Sequence, residues 1–416
     1  MKKLLIALQE RLSLILLSLS DRNALRNKIQ DLEKERDLLA TQLSDQWNGR
    51  QADRILHHSP RRIAGNVAEI TTSIDTDDHN LVSRVIAAYR KSVRTPTGPT
   101  NSMWLTEFAS TNRETHKLLD NGDHASIANV LRNPATSMLF YGFESIQAAD
   151  VPKNSSSIWR AWQHQITYDS LLQIARAIGA RRVENPEAGV DFDEAPGIEA
   201  LLEQLDTALG FKIEFPNIFA GEIGLVTSRG IANYRAIQAL YQAWRIKQIV
   251  ADIPKPRILE IGAGLGRTAY FAMQMGVSSY TIIDIPLTGV AQGYFLGRLL
   301  GENAVSLWDE RPTEASVHIL PPVAFHQRDT KFDLIVNVDS ITEMSESTAR
   351  EYFDATSTRS SRFLSINHEH NAFTVAQIYQ GRDDVRVWRT PCWSRRGYVE
   401  ELIHFTEKAS HNVVAR

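Results

Sequence analysis

Arg257-Ile258-Leu259-Glu260-Ile261-Gly262-Ala263-Gly264-Leu265-Gly266-Arg267-Thr268 is the stretch on which the reading of the whole chain turns. An apolar run carries one acid, and three glycines then alternate with other residues ahead of a helix-forming segment. A strand that turns sharply into a helix, with a ligand against its backbone, needs positions without a Cβ. The free amides at the start of the following helix suit an anionic group such as a carboxylate. Dinucleotide-binding oxidoreductases space such glycines as G-x-G-x-x-G. Here that spacing requires glycine at 267, where Arg267 stands, and the third glycine is at 266. Glu260, two residues before the first glycine, is placed to order the loop and to meet a cationic amino-acid end. The pattern points to S-adenosylmethionine rather than NAD.

Downstream, short apolar runs alternate with helical stretches, which predicts a parallel α/β sheet. Arg257 to Ile261 is strand one, and Thr268 to Met275 the helix after it. Tyr280 to Ile285 is strand two, followed by a helix through Leu300. Ala304 to Trp308 is a weak strand three, Phe332 to Val338 strand four and Phe363 to Asn367 strand five. Val385 to Arg389 and Tyr398 to Phe405 close the sheet as a hairpin. The expected fold is therefore α/β, with the Rossmann-like seven-stranded sheet of a class I methyltransferase. Asp284, at the end of strand two, is placed to accept hydrogen bonds from vicinal ribose hydroxyls. Trp308 suits either adenine stacking or core packing. The expected cofactor contacts are Glu260, Gly262, Ala263, Gly264, Gly266, Asp284, Ile285, Trp308 and Asn337.

A chain of 416 residues exceeds one ordinary domain. Residues 1–50 read as a heptad helix, 51–200 as a helical cap that meets the acceptor, and 201–416 as the cofactor domain. Leu25, Ile29, Leu32, Leu39 and Leu43 follow a heptad seam with Arg36 as its polar interruption, which suits a coiled coil and a homo-oligomer. The same residues also suit one amphipathic helix packed on its own domain. Gly49 and the polar stretch to Pro60 are expected to end it. The apolar stripe Leu4 to Leu19 has no cleavage site and too few uninterrupted apolar residues to span a bilayer, but it suits peripheral contact with a membrane. A net charge of -3 offers no global pull toward nucleic acid. Cys392 is the sole cysteine, in keeping with a reducing compartment. An intracellular cofactor adds to the expectation of a cytoplasmic protein, with the inner membrane face as the alternative.

Ile258 to Tyr270 together with Tyr280 to Pro286 resembles the sugar O-methyltransferases of the nanchangmycin-pathway type. So do Phe215-Pro-Asn-Ile-Phe-Ala-Gly221, Thr227-Ser-Arg-Gly-Ile-Ala-Asn-Tyr-Arg235 and Phe363-Leu-Ser-Ile-Asn-His-Glu369. The resemblance covers about Tyr168 to Phe405 and, more loosely, the region from Asn101. The heptad helix lies outside it. The resemblance implies methyl transfer to a sugar hydroxyl of a surface polysaccharide, glycan or glycosylated metabolite. Small natural-product methylation and a non-catalytic module of a glycan-assembly complex are the rival readings.

A sugar hydroxyl is a weak acid and needs a base or a metal beside it. Catalytic groups in open α/β sheets gather beyond the carboxyl ends of the strands. Asp339 and Glu343 follow strand four, and His368 and Glu369 follow strand five. His368 is the expected base, since neutral imidazole takes a proton near cellular pH; Asp339 or Glu343 would assist. The same three, Asp339, Glu343 and His368, are the alternative holders of a divalent metal. On the helix after Asn233, Tyr234, Gln238, Tyr241 and Arg245 share a face that suits either a sugar or ordinary packing. Arg229 and Arg235 suit an acidic sugar or a phosphate. Substrate contacts are thus expected from Arg229, Tyr234, Arg235, Gln238 and Glu369. Trp104, Trp159 and Trp162 suit an acceptor groove or packing.

Overall fold

The computed structural model describes residues 22–55, 67–70, 77–95, 104, 110–142, 157–183, 196–310, 316–327 and 329–406. The apolar stripe at 4–19 and the loops expected at 95–99 and 184–196 lie wholly or mostly outside these residues, as do the side chains of Leu25, Trp159 and Trp162.

In chain order the helices are α1 (Arg22–Ile55), α2 (His79–Arg94), α3 (Arg113–Asn121), α4 (His124–Arg132), α5 (Ser157–Ala177), α6 (Ile198–Leu209), α7 (Tyr234–Ile249), α8 (Arg267–Gln274), α9 (Pro286–Leu300), α10 (Pro322–Gln327), α11 (Glu346–Arg359) and α12 (Val375–Tyr379). The strands are β1 (Val67–Glu69), β2 (Ile223–Thr227), β3 (Gly230–Ala232), β4 (Arg257–Ile261), β5 (Ser279–Ile283), β6 (Val305–Ser306), β7 (Val317–Leu320), β8 (Leu334–Val338), β9 (Arg362–His368), β10 (Val385–Pro391) and β11 (Tyr398–Phe405).

The main sheet has eight strands in the order β10-β11-β9-β8-β4-β5-β7-β6. All pair in parallel except β11, which runs antiparallel to both its neighbours. The expected count of seven strands is corrected to eight. The stretch read as strand three, Ala304 to Trp308, supplies only the two-residue edge strand β6. The strand beside β5 is Val317–Leu320, whose four residues stop at Pro321 and Pro322. So short a run carries little periodic signal, and proline cannot extend the ladder. The central strands are buried on both faces, which is why β4, β5 and β8 read as nearly continuous apolar runs.

The helices upstream share this core. Leu81, Val82 and Val85 of α2 are fully buried, each contributing roughly 1.5–3 kcal/mol of burial. They meet α9 where it has glycine: a Cβ at Gly297 would lie 2.7 Å from Leu81, and one at Gly293 would lie 3.0 Å from Val85. A single apolar cluster runs from α2 through α5, α6 and α7 to the sheet. A second, three-stranded sheet, β1-β2-β3, joins the region before residue 70 to the segment just ahead of α7. The helix α1 continues past Gly49 to Ile55, beyond its expected end. It packs on α5, where Leu32 is buried, while Leu38 and Leu43 stay exposed. No helix among the described residues is long and apolar enough to cross a membrane.

Candidate active site

The turn from β4 into α8 gives Gly262, Gly264 and Gly266 left-handed φ angles of 72°, 56° and 90°. The absence of a side chain decides two of these positions. A Cβ at Gly262 would collide with Ser340, and one at Gly266 would lie 2.9 Å from Leu296. Beneath the turn Asn337 is fully buried. Its Nδ2 donates to the Ile261 carbonyl (2.9 Å), as does Ser340 Oγ (3.0 Å). Asn337 therefore braces the loop from inside and does not face the cleft. Gly266 likewise sits behind the loop, as the residue before α8.

Asp284 closes the other side. Its Oδ2 accepts from the Ala263 amide (3.0 Å) and from Gln292 (2.7 Å), and its Oδ1 accepts from the Ile285 amide (2.8 Å). Gln292 also donates to the Gly264 carbonyl at 2.9 Å, so one side chain of α9 ties acid and loop together. Burial raises the Asp284 carboxyl to about 7. Glu260 accepts from Tyr280 Oη at 2.7 Å, and burial raises it also to about 7.

These groups form one end of a cleft of about 1170 Å³, mouth included. Glu260, Gly262, Ala263, Gly264, Asp284 and Ile285 line it. Its other end is lined by Trp104, Gly142, Arg235, Asp339, Glu343 and Arg395. Trp308 lines a smaller pocket alongside, which shares Asp284 and Ile285 with the cleft.

The molecule thus combines a mostly parallel sheet, a glycine turn after its central strand, an acid ending the next strand, and one antiparallel strand inserted near the far edge. This strand arrangement is consistent with the Rossmann-like fold of class I methyltransferases. No family model matches the chain, and no curated protein matches it. Among solved structures, the chain is similar to the magnesium protoporphyrin IX methyltransferase of Synechocystis with bound SAM, at 17% identity and a TM-score of 0.31, over 42% of this chain and 81% of that one. It is also similar to a S-adenosylmethionine-dependent methyltransferase of Clostridium acetobutylicum, at 12% identity and a TM-score of 0.32, over 40% and 92% of the two chains.

Asp339 follows β8 with a left-handed φ of 55°, a conformation that costs a non-glycine residue of order 1–3 kcal/mol. Its Oδ2 accepts from Tyr398 Oη (2.8 Å) and pairs with Arg395 (3.0 Å). Its Oδ1 lies 3.5 Å from His368 Nε2. His368 Nδ1 accepts from the His370 amide at 3.2 Å. In the neutral ring the proton then sits on Nε2, facing Asp339, and no lone pair is left for an acceptor. His368 does not line the cleft. Ligand atoms of Asp339, Glu343 and His368 lie within 4.8 Å of one another, close enough for a cation. Two features fit a cation poorly: Arg395 already supplies positive charge at Asp339, and a metal on His368 Nε2 would place the ring proton on Nδ1, which faces the His370 amide donor.

Glu343 ends the short turn Ile341–Glu343 after β8 and lines the cleft. It accepts from the indole N–H of Trp104. Burial, aided by the charge of Asp339, raises its carboxyl to about 7 against the Trp104 bond, Arg235 and Arg395.

Of the expected substrate residues, Arg235 and Gln238 line the cleft from the first turns of α7, which Asn233 caps through the Ala236 amide (2.8 Å). Tyr234 lies under the Arg235 guanidinium and away from the cleft lining. Arg229 is buried against Asp206 at 2.6 Å, and Glu369 pairs with Arg389 at 2.8 Å on the hairpin. Neither lines the cleft. Tyr241 and Arg245 both bind Glu400 of β11 at 2.7 Å, so these two side chains serve packing while Gln238 on the same face lines the cleft. The sequence reading missed Gln292, Arg395 and Gly142. Gln292 stands eight residues after Asp284, two helical turns along, which is a usable signal; Arg395 lies in a hairpin turn that carries none.

Proposed function

We propose that the chain is an S-adenosylmethionine-dependent O-methyltransferase acting on a sugar hydroxyl of a glycan or glycosylated metabolite, with Glu343 as general base. The observation that carries the reading is the continuity of one cleft from the glycine turn and Asp284 to Glu343. The residues present fit the cofactor. The loop leaves its backbone bare, Asp284 suits vicinal hydroxyls, and Glu260 suits an ammonium. When bound, the cofactor supplies an electrophilic methyl group. The acceptor oxygen must then approach that methyl in line, and its proton must leave toward a group in the cleft. Glu343 is placed for this, and a carboxyl held near 7 is matched to the task at cellular pH. The base thus moves from His368, the expected residue, to Glu343. His368, Tyr398 and Arg395 hold Asp339 as a charged wall beside it.

The sugar class rests on the resemblance of the quoted motifs, and the mixed lining of Trp104, Arg235 and Gln238 suits an acceptor with apolar faces and polar edges. The cytoplasm is the compartment that supplies the cofactor. Incubation with S-adenosylmethionine and panels of nucleotide sugars, lipid-linked glycans and phenols tests the reading. A +CH2 mass shift on a sugar is expected. Transfer to phenols alone would replace the acceptor class, and cofactor binding without any turnover would favour a non-catalytic module.

A further inference from the structure

We propose that Trp104, far from the sheet in sequence, is a positioning residue that holds the Glu343 carboxylate for the acceptor hydroxyl. This deepens the reading of Glu343 as base and rests on it. The indole has a single polar atom, a donor, and that atom is placed on Glu343 Oε2. One carboxylate oxygen is thereby engaged, and the rotation of the carboxyl group is set by a rigid ring.

The ring itself is held. Gly142 has a left-handed φ of 91°, and a Cβ there would collide with the indole. The ring therefore lies where any other residue at 142 would exclude it. The Gly142 carbonyl accepts in turn from Arg235 at 3.0 Å, and Arg235 leads α7 on the sheet side of the cleft. Trp104, Gly142 and Arg235 all line the same cleft as Glu343. The upstream helical region thus reaches the reacting end through one N–H. An indole that served packing alone would gain nothing by aiming its only donor at a carboxylate that lines the cleft. The charged and titratable groups acting on Glu343 are Asp339, Arg235 and Arg395. Among the described residues, the Trp104 bond is the one contact to Glu343 that is both direct and directional.

The test uses the full chain labelled with 15N-tryptophan, whose eight indole signals are assigned with Trp104→Phe. The Trp104 indole proton is expected to move as Glu343 titrates, and to lose that response in Glu343→Gln. A Trp104 signal that is the same in wild type and Glu343→Gln overturns the proposal. In kinetics with an acceptor that the wild type methylates, Trp104→Phe is expected to lower kcat about tenfold or more, in keeping with loss of a hydrogen bond to a buried charge. It should shift the acidic limb of the pH profile upward and leave cofactor affinity unchanged, and Trp104→His, which keeps a ring N–H, should recover part of the loss. An unmoved pH limb in Trp104→Phe also overturns the proposal. A fully active Glu343→Gln sinks the base reading instead, and the indole response then stands or falls separately.

Discussion

The two ends of the cleft are built differently. The proposed cofactor end comes from residues close together in the chain: Glu260 to Gly264 on one turn, Asp284 on the neighbouring strand, and Gln292 on the helix that follows. The proposed acceptor end draws on positions 104, 142, 235, 339, 343 and 395, which meet only because helices and a hairpin converge on the sheet. At the first end backbone geometry dominates, so a substitution that adds a side chain should be fatal to binding. At the second end charges offset one another, so effects should differ sharply from residue to residue.

A large effect is expected where a substitution breaks the first end. Gly262→Val meets both the left-handed φ of 72° and the Ser340 side chain. Binding of S-adenosylhomocysteine, measured by calorimetry, should weaken by about 100-fold or more, because a β-branched residue at positive φ is a severe outlier. Binding at wild-type strength would show that the turn is not the cofactor cradle. Next, Glu343→Gln should lower kcat by about 10²–10⁴-fold, the usual range for a positioned base. Its cofactor affinity should stay at the wild-type value, since the loss is confined to the acceptor end. A drop in affinity instead would show that the two ends are not separable.

The pH dependence sharpens the same contrast through stability. Glu260 and Asp284 at one end and Glu343 at the other are all raised to about 7, chiefly by burial. A carboxyl whose folded pKa lies above its ordinary value of about 4 stabilises the fold while protonated. That contribution is complete below about 4 and is lost as the pH rises through about 7. The melting temperature of the ligand-free protein should therefore fall between about pH 5 and pH 7.5 relative to variants that cannot ionise. Glu260→Gln should flatten part of that slope; an identical slope in the variant would mean that Glu260 does not titrate there.

A smaller effect is expected from His368→Ala. The ring faces Asp339, which keeps Tyr398 and Arg395, so kcat should fall by less than about tenfold. A loss as large as that of Glu343→Gln would return the base to His368. The smallest effect is expected from chelation. With Arg395 at 3.0 Å supplying the positive charge beside Asp339, turnover in excess EDTA should match the untreated rate. Loss of turnover restored by one divalent cation would instead assign Asp339, Glu343 and His368 to a metal.

The amino-acid sequence alone determined the glycine turn, the acid that ends the second strand, and the position of most sheet strands along the chain. Each of these rests on contiguous residues whose backbone demands are local. The sheet's third strand by position was not legible, because four residues ahead of two prolines leave almost no periodicity. Arg229 and Arg235 look alike as cations six residues apart, yet Asp206 holds the first and the cleft receives the second. His368 and Glu343 look equally fit to take a proton in the chain. Only the tertiary structure turns the imidazole proton toward Asp339 and brings the Trp104 indole onto Glu343. Hydrogen-bond direction and burial are set by what packs from elsewhere, and no spacing along the chain encodes them.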